Sequence, residues 1–242
     1  MTQCEHHLQE EKNVKKLCIS LVPIFNHLQN DEMLQIAEKS RHTSYQKGET
    51  VFEDGDSSDH LYIVHQGQVK IYRLSESGKE QLIRILEPGD FMGELSLFTD
   101  ETLTSYAEAM KKTEICVIHK SDLRGIILAK PVIALKILET FSKRLNEAEK
   151  TIERFSSQDA EKRIASYLID LSNSLTVTPS FDEPFEVNLP MSKKDLASYI
   201  GMTQETLSRR LSSFQELGWI GQTGQRNLKI LDYEAILEAA RE

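Results

Sequence analysis

Cysteine is scarce in this chain of 242 residues, which has only Cys4, Cys18 and Cys116. Three scattered cysteines are too few for the disulfide framework of a small secreted domain. No apolar run approaches the roughly 20 residues that a helix needs to span a bilayer. The N-terminal residues also lack the basic and then apolar order of a signal peptide. We therefore expect a cytoplasmic protein with no membrane partner.

Basic residues are in the minority as well, because 29 lysines and arginines face 38 aspartates and glutamates, which gives a net charge of −9. Such acidity ordinarily argues against a nucleic-acid partner, since DNA and RNA carry the same sign of charge. Residues 192–229 differ: six basic residues there outnumber three acidic ones, for a local charge of +3. This segment is therefore a candidate for contact with a phosphate backbone.

Catalytic motifs are missing too: the sequence has no phosphate-binding loop, nucleophile elbow or paired-carboxylate motif. The histidines His60, His65 and His119 lie in or near predicted strands and raise one alternative, a metal-dependent enzyme of the cupin type. No His-x-His pair, however, places two imidazoles on one face of a strand. We therefore do not expect an enzyme.

The basic segment has the pattern of two short helices joined by a glycine turn. Ser192 is placed to cap the first helix, Gly201 permits a sharp reversal, and Thr203 is placed to cap the second helix. At about 100° per residue, one face of the second helix is apolar. The residues of that apolar face are Leu207, Leu211 and Phe214. The pattern predicts a helix-turn-helix with a packed face and a free face.

The free face of the second helix carries Glu205, Ser208 and Arg209. Arginine can form a bidentate pair with guanine, glutamate can accept from the cytosine amino group, and serine is small enough to fit between them. These three residues are the predicted base-reading residues. The alternative is a surface ion pair between Glu205 and Arg209, which are i and i+4 on the helix.

A two-stranded wing is predicted over residues 218–231, with Arg226 at its tip. Four residues are candidates for contact with the DNA backbone. They are Lys193, Thr203, Gln204 and Arg226.

Residues 43–120 contain short apolar segments separated by glycine turns, at intervals of about 8 to 12 residues. This spacing predicts an antiparallel sandwich or jelly roll, with a hairpin tip at residues 75–79. From Pro131 the apolar period becomes helical, with alternating spacings of four and three residues. The predicted seam residues are Leu138, Phe141, Leu145, Ala148, Ile152 and Phe155.

This seam predicts a homodimer, and a two-fold dimer would present two recognition helices to a palindrome. The alternative is a long helix that packs on its own domain. The predicted fold class is α+β: an N-terminal segment over 1–20, a β-roll over 21–130, a dimerisation helix over 131–157 and a winged helix-turn-helix over 158–242.

The order of these parts resembles the bacterial cyclic-AMP receptor protein and fumarate-nitrate reduction regulator family, over roughly residues 20–232. The resemblance rests on the helix-turn-helix and on four glycine motifs, namely 48–52, 54–56, 67–70 and 88–94. It implies a transcription regulator with double-stranded DNA and RNA polymerase as partners. The Glu205-x-x-Ser208-Arg209 pattern is similar to the fumarate-nitrate reduction branch, which implies half-sites similar to TTGAT.

The same resemblance bears on the effector. The cyclic-AMP branch binds its nucleotide phosphate through an Arg-Ser or Arg-Thr step about ten residues after a Gly-Glu pair. The pair is present here as Gly93 and Glu94, but Thr104, Ser105 and Tyr106 follow at that distance. A buried phosphate would lack its counter-charge, which argues against cyclic AMP.

The cysteines are therefore the leading sensor candidates. Cys116 is similar in position to the internal cluster ligand of the oxygen sensor, and Cys18 resembles the last of its N-terminal ligands. An iron-sulfur cluster is usually held by four thiolates, so His6, His7 or a carboxylate would have to complete the set of Cys4, Cys18 and Cys116. A similarity to fumarate-nitrate-reduction-like proteins of low-GC Gram-positive bacteria implies instead a switch between thiol and disulfide, without a cofactor.

Three alternatives stay open at this point. The cysteines can be structural, zinc can be bound by the cysteines and histidines, or a small molecule or nucleotide can gate the roll. In a thiol switch, Lys15, Lys16 or His119 is a candidate for the group that activates a cysteine.

Overall fold

The computed structural model describes residues 19–57, 59–94, 99, 101–157, 159–175 and 183–241, without the side chains of 154–157. Cys4 and Cys18 lie outside this set, as does the predicted N-terminal segment up to residue 18. The strands are β1 (Ser40–Tyr45), β2 (Thr50–Phe52), β3 (His60–Gln66), β4 (Val69–Leu74), β5 (Glu80–Leu86), β6 (Phe91–Met92), β7 (Tyr106–Ala109), β8 (Thr113–His119), β9 (Phe185–Asn188), β10 (Ile220–Thr223) and β11 (Asn227–Ile230). The helices are α1 (Asn30–Glu38), α2 (Lys120–Ala129), α3 (Pro131–Ser157), α4 (Ala160–Asn173), α5 (Lys193–Tyr199), α6 (Gln204–Glu216) and α7 (Tyr233–Arg241).

The chain divides into two compact units, with the change between Arg144 and Leu145 inside α3. The short stretch Glu80–Leu82 groups with the second unit. The first unit contains the strands of the roll, and the second contains the C-terminal helices and a small sheet. Within the part of the chain that is described, no helix is both long and apolar enough to cross a membrane.

Two four-stranded sheets form the roll, in the orders β1-β8-β3-β6 and β2-β7-β4-β5. The pairs with a defined register are antiparallel. The predicted antiparallel roll is therefore confirmed, and its predicted hairpin tip joins β4 to β5. Strand β8 is buried on both faces, because Ile115 packs in the core between the sheets while Cys116 and Ile118 pack in a second core with the helices.

Helix α3 has the predicted bounds, but its apolar residues serve two purposes. Ile133 and Ile137 are buried in the core of the first unit, and Phe141 packs partly buried against the same core. Phe141 was expected on the seam, so this residue supports the alternative of packing within the chain. The first two residues lie one turn apart on the inner face, so the helix is anchored there.

Four of the other predicted seam residues lie outside that core. Leu138, Leu145 and Ile152 are 58%, 62% and 67% exposed, and Ala148 is exposed. The side chain of Phe155 lies outside the described residues. The dimer seam stays a prediction. It now rests on Leu138, Leu145 and Ile152, which are spaced by seven residues.

The helices of the second unit bury apolar side chains, among them Ile164, Leu211 and Ile236, and the unit adds a sheet in the order β10-β11-β9. The predicted wing had two strands, whereas the structure has three, since β9 pairs with β11 through Val187 and Leu228. Strand β9 has only four residues and is distant from the wing in sequence, so local periodicity did not reveal it.

Two glycines of the roll provide a test of its packing. Gly67 has φ +103°, and an added Cβ would lie 2.3 Å from Thr113 Oγ1 and 2.6 Å from Thr113 Cα. Gly78 has φ +75° with no atom within 4 Å of an added Cβ. Positive φ costs an L-residue about 1–2 kcal/mol, and overpacking adds about 1–3 kcal/mol.

We predict that Gly67→Ala lowers the free energy of unfolding by about 3 kcal/mol or more, and Gly78→Ala by about 1–2 kcal/mol. The measurement is urea unfolding of both variants at one protein concentration. Equal losses for the two variants would contradict the close contact between Gly67 and Thr113.

Candidate functional site

The helix-turn-helix consists of α5, the turn at Gly201 and α6. Ser192 Oγ accepts from Asp195 N at 3.1 Å, and Thr203 Oγ1 accepts from Thr206 N at 3.1 Å. Both predicted N-caps are therefore present, and Gly201 has the left-handed φ of +69° that the turn requires. These bonds satisfy amide groups that a helix start leaves unpaired, so both helices begin at defined residues.

The faces of α6 divide as expected. Leu207, Leu211 and Phe214 are buried, whereas Glu205, Ser208 and Arg209 are exposed. Across the described residues, neither Glu205 nor Arg209 has an ion-pair partner. The alternative of a surface pair between them is therefore not what the structure contains.

The two adjacent arginines of α6 have different environments. Arg210 Nη1 donates to Glu161 Oε2 of α4 at 3.0 Å. From α4, Arg163 Nη1 donates to the carbonyl of Ile200 at 3.0 Å and to that of Gly201 at 3.1 Å, at the C-terminal end of α5. Arg210 and Arg163 therefore hold the helix-turn-helix on α4, while Arg209 extends from the exposed face.

The four residues predicted to contact the DNA backbone also differ: two are engaged in contacts within the protein, and two are exposed. Lys193 Nζ donates to Gln222 Oε1 at 2.5 Å, which ties α5 to β10, and Thr203 Oγ1 is engaged in its cap. Gln204 and Arg226 are exposed. Arg226 lies in the turn between β10 and β11, beside Gly224 with φ +82°.

Cys116 is fully buried on β8 and is disulfide-bonded. The chain has only two other cysteines, Cys4 and Cys18, and both lie outside the described residues. The Sγ atom of Cys116 lies 3.1 Å from Nε2 of His42. The ring of His65 packs edge-on against that of His42, with 5.7 Å between the ring centroids.

Sequence reasoning did not find His42 and proposed His119 instead. In the structure His119 caps α2, because its Nδ1 accepts from Ser121 N at 3.2 Å. Residues 116 and 119 differ by three and so point to opposite faces of β8. His42 is adjacent because β1 pairs with β8 in the register that aligns His42 with Cys116. Only knowledge of that register could have revealed it.

The metal alternatives can be compared with the donor atoms present. Among the described residues, no group of three or more metal-binding side chains occurs. A disulfide at Cys116 uses two of the three cysteines and leaves one cysteine for a metal. An iron-sulfur cluster needs several thiolates, so the residues in this state do not fit a cluster.

Glu94, the second residue of the Gly-Glu pair, forms the centre of a buried ion cluster. Its side chain is 6% exposed, and Oε1 accepts from Arg84 at 3.0 Å and also from Arg144 of α3. Arg144 Nη2 donates to the Phe91 carbonyl at 3.0 Å, and its guanidinium carbon lies 4.5 Å from the Phe91 ring centre. Burial lowers the pKa of Arg144, and the charge of Glu94 opposes that shift. The cluster attaches α3 to the roll.

A guanidinium that the sequence did not indicate lies beside Thr104. Arg73 of β4 donates from Nε to the Thr104 carbonyl at 3.0 Å and from Nη2 to Thr104 Oγ1 at 2.9 Å. The pairing of Tyr72 with Tyr106 brings these strands together. A cavity of about 430 Å³ adjoins them, lined by Asp54, Arg73, Leu74, Thr104 and Tyr106.

A β-roll followed by a long helix and a winged helix-turn-helix defines a class of DNA-binding transcription regulators. Residues 42–130 match the family model of the cyclic nucleotide-binding domain, and residues 162–239 match that of the Crp-like helix-turn-helix domain.

The chain is also similar to known transcription regulators. The chain is 30% identical to the "Probable transcriptional regulator flp" of Lacticaseibacillus casei, over 90% of this chain and 95% of that protein. It is also 30% identical to the "Anaerobic regulatory protein" of Haemophilus influenzae, over 97% of this chain and 88% of that protein. The structure of FixK2 from Bradyrhizobium japonicum superposes with a TM-score of 0.70 at 26% identity, over 83% of this chain and 96% of that one.

The chain therefore belongs to the CRP/FNR family of transcriptional regulators. Regulators of this family bind DNA and act as dimers. The relatives are transcription regulators and not enzymes, so the cupin-type alternative is wrong.

The Glu94 cluster predicts coupled effects of substitution. Removing one partner of a buried ion pair costs about 3–5 kcal/mol, because a buried charge is left uncompensated. Glu94→Gln and Arg144→Gln are each expected to destabilise the protein by about 3 kcal/mol, and the double variant by clearly less than their sum.

Urea unfolding of the four proteins measures this coupling. Arg209→Gln is the control, since Arg209 is an exposed arginine without an ion-pair partner among the described residues and its loss should change the free energy of unfolding by about 0.5 kcal/mol or less. Additive effects of Glu94→Gln and Arg144→Gln would refute a direct energetic link between them.

Proposed function

We propose that this protein is a homodimeric transcription regulator that recognises a palindromic DNA site and responds to a redox or oxygen-related signal. Residues 21–130 form the sensory part, 131–157 the dimerisation helix and 158–242 the DNA-binding part. The observation that carries the proposal is the exposed, unpaired face of α6 next to an anchored arginine. Its site of action is the cytoplasm, where the DNA of a bacterium lies.

The DNA-contact assignment follows from the division of charges on α6. A side chain without internal partners can turn its polar atoms towards a base edge. Among the described residues Arg209 and Glu205 have no such partner, whereas Arg210 is paired with Glu161. We assign base recognition to Glu205, Ser208 and Arg209, on half-sites similar to TTGAT. Lys193, Thr203, Gln204 and Arg226 are assigned to the backbone, and most of the affinity comes from such contacts.

The dimer assignment rests on α3. Leu138, Leu145 and Ile152 are exposed and spaced by seven residues, which is the repeat of a two-stranded coiled coil. Burying three large apolar side chains against a second copy would stabilise the dimer by several kcal/mol. Two-fold symmetry then matches a palindromic site, and the DNA-bound dimer can contact RNA polymerase.

The redox assignment rests on the disulfide at Cys116. A disulfide in a cytoplasmic protein is most often a regulatory one, because the compartment keeps thiols reduced. The name of the Haemophilus relative refers to anaerobic regulation. We infer that oxidation of Cys116 changes the position of the N-terminal segment against the roll and thereby the distance between the two recognition helices.

One observation favours a second candidate, a regulator gated by a small molecule or nucleotide. The roll matches the cyclic nucleotide-binding domain, and Arg73 beside the 430 Å³ cavity could pair with an anion. Glu94, however, is already bound by Arg84 and Arg144, so cyclic AMP is not the effector that we propose. A thermal shift on adding cyclic AMP, which stabilises any native state that binds it, would favour this candidate instead.

The adjacent arginines give a matched test of base recognition. Arg209→Ala should weaken binding to a TTGAT-type palindrome by about 1–3 kcal/mol and relax preference at one base pair. Arg210→Ala removes the bond to Glu161, so it should lower the melting temperature without changing which base is preferred.

The measurement is fluorescence anisotropy with the palindrome and its single-base variants. An equal loss for Arg209→Ala on the palindrome and on random DNA would assign Arg209 to phosphate contact alone.

Arg226 is expected to contact phosphate, because it is an exposed cation in a wing turn. Arg226→Ala should weaken binding to all sequences and reduce the slope of log affinity against log salt by about one unit. Binding is measured from 50 to 200 mM salt. Lys229→Ala, which removes the other cation of the wing, is measured for comparison. An unchanged slope would remove Arg226 from the interface.

The redox input is tested by counting thiols and measuring DNA affinity in oxidised and reduced protein. Wild-type protein should lose two thiols on oxidation and change its affinity for the palindrome. Cys116→Ser should show one fixed affinity. Cys4→Ser and Cys18→Ser are made alongside it: the variant that lacks the disulfide partner should behave like Cys116→Ser, and the other should keep the redox response of the wild type. If wild-type affinity were the same in both redox states, the cysteines would be structural.

A further inference from the structure

The turn between α5 and α6 satisfies only part of its own backbone. Gly201 N donates to the Ser198 carbonyl at 3.2 Å, and Met202 N donates to the Ala197 carbonyl at 2.9 Å. This pairing is the Schellman motif that ends many helices. The carbonyl groups of Ile200 and Gly201 take no part in it. Because Ile200 is buried, its carbonyl needs a donor from another element.

Arg163 of α4 provides that donor for both carbonyl groups. Its Nη1 donates to Ile200 O at 3.0 Å and to Gly201 O at 3.1 Å. On the other side of the guanidinium, Nε donates to the Asp159 carbonyl at 3.3 Å, and Asp159 is the N-cap residue of α4. A cation is also favourable beside the terminal carbonyl groups of a helix. The guanidinium therefore connects the start of α4 to the turn that precedes the recognition helix.

Helix α4 contacts α6 at a second point as well. Arg210 Nη1, at the middle of α6, donates to Glu161 Oε2 at 3.0 Å. Two points of attachment fix the direction of a helix axis, whereas one point leaves the helix free to pivot. The base-reading residues follow the Arg163 contact and precede the Arg210 contact along the chain. They are Glu205, Ser208 and Arg209.

We propose that Arg163 is a positioning residue that sets how well α6 discriminates between DNA sequences. The inference rests on the proposed function, because it concerns base recognition by α6. A hydrogen bond to a base edge requires the two heavy atoms to lie about 2.7 to 3.2 Å apart in a fixed direction. Attraction to phosphate depends mainly on charge and carries no sequence information. A tilt of α6 therefore costs more on a recognised site than on random DNA.

The same contacts separate positioning from direct binding of DNA. The guanidinium of Arg163 is engaged by three carbonyl groups of the protein. Each phosphate contact contributes about one unit to the slope of log affinity against log salt. Loss of a positioning residue should leave that slope unchanged, whereas loss of a phosphate contact should lower it.

The test uses full-length protein and the duplex that wild-type protein selects from a random pool, with one random duplex of equal length. Fluorescence anisotropy gives both affinities from about 50 to 200 mM salt, and their ratio is the readout. The variants are Arg163→Gln and Arg163→Lys. Lys162→Gln is the matched control, because this neighbouring cation donates to the Arg241 carbonyl of α7 at 2.9 Å and not to the turn.

We expect Arg163→Gln to lower the ratio roughly tenfold, which is within the discrimination of one bidentate base contact. Affinity for random DNA and the salt slope should stay close to those of the wild type. Arg163→Lys keeps the charge, but a single ammonium group lacks the planar fork that reaches the turn and Asp159 together. It should therefore also lower the ratio, and Lys162→Gln should match the wild type.

The variants are expected to fold, because a second contact holds α5 on α4. Tyr167, one turn beyond Arg163, packs against Tyr199 with 6.1 Å between the ring centroids. Melting curves show whether each variant is folded at the assay temperature. If Arg163→Gln is not, the ratio of the more conservative Arg163→Lys decides.

An unchanged ratio in the folded Arg163 variants would overturn the inference and leave the DNA-binding function standing. Equal losses on the two duplexes would assign Arg163 to stability alone, and a salt slope lower by about one unit would assign it to phosphate contact. Full recovery by Arg163→Lys would assign the effect to charge. Each of these results overturns positioning. Failure of the proposed function is a separate result, namely wild-type protein that selects no duplex from the pool.

Discussion

Strand β8 is hydrogen-bonded along both edges, to β1 on one side and to β3 on the other. The other features of the roll depend on this double pairing. Thr113 lies at its start against Gly67, Cys116 lies at its centre, and His119 ends it as the cap of α2. A central strand cannot shift by one residue without turning every side chain to the wrong face. The register therefore places the Cys116 sulfur next to His42 and keeps it out of solvent.

In the DNA-binding unit, contacts on the inner side of α6 hold the helix in place while its outer face stays exposed. Adjacent residues divide that work: Arg210 pairs with Glu161, and Arg209 remains exposed. The caps at Ser192 and Thr203 fix where α5 and α6 begin. Because the cations that position the helix are satisfied internally, charge on the outer face is available to DNA even though the chain as a whole is acidic.

Local patterns predicted the roll, the bounds of α3 and the helix-turn-helix with its caps, since each depends on periodicity or on residues three apart. Features that depend on contacts distant in sequence were missed. His42 meets Cys116 through strand register, Arg144 meets Glu94 across 50 residues, and β9 joins the wing from far upstream. The same holds for Phe141. Its place in the alternating spacing of four and three residues fits both the core of the first unit and a dimer seam, and the structure shows it against the core.

The Glu94 cluster constrains the kind of signal that the roll can accept. A ligand that engaged Glu94 would have to compete with two guanidinium groups, and separating a buried ion pair costs about 3–5 kcal/mol. That cost would be subtracted from the affinity of any such ligand. Formation of a disulfide at Cys116 carries no such penalty, because Cys116 lies on β8, whereas Arg84 lies on β5 and Glu94 follows β6. The arrangement of charges therefore favours a covalent signal at β8 over a reversible ligand at Glu94.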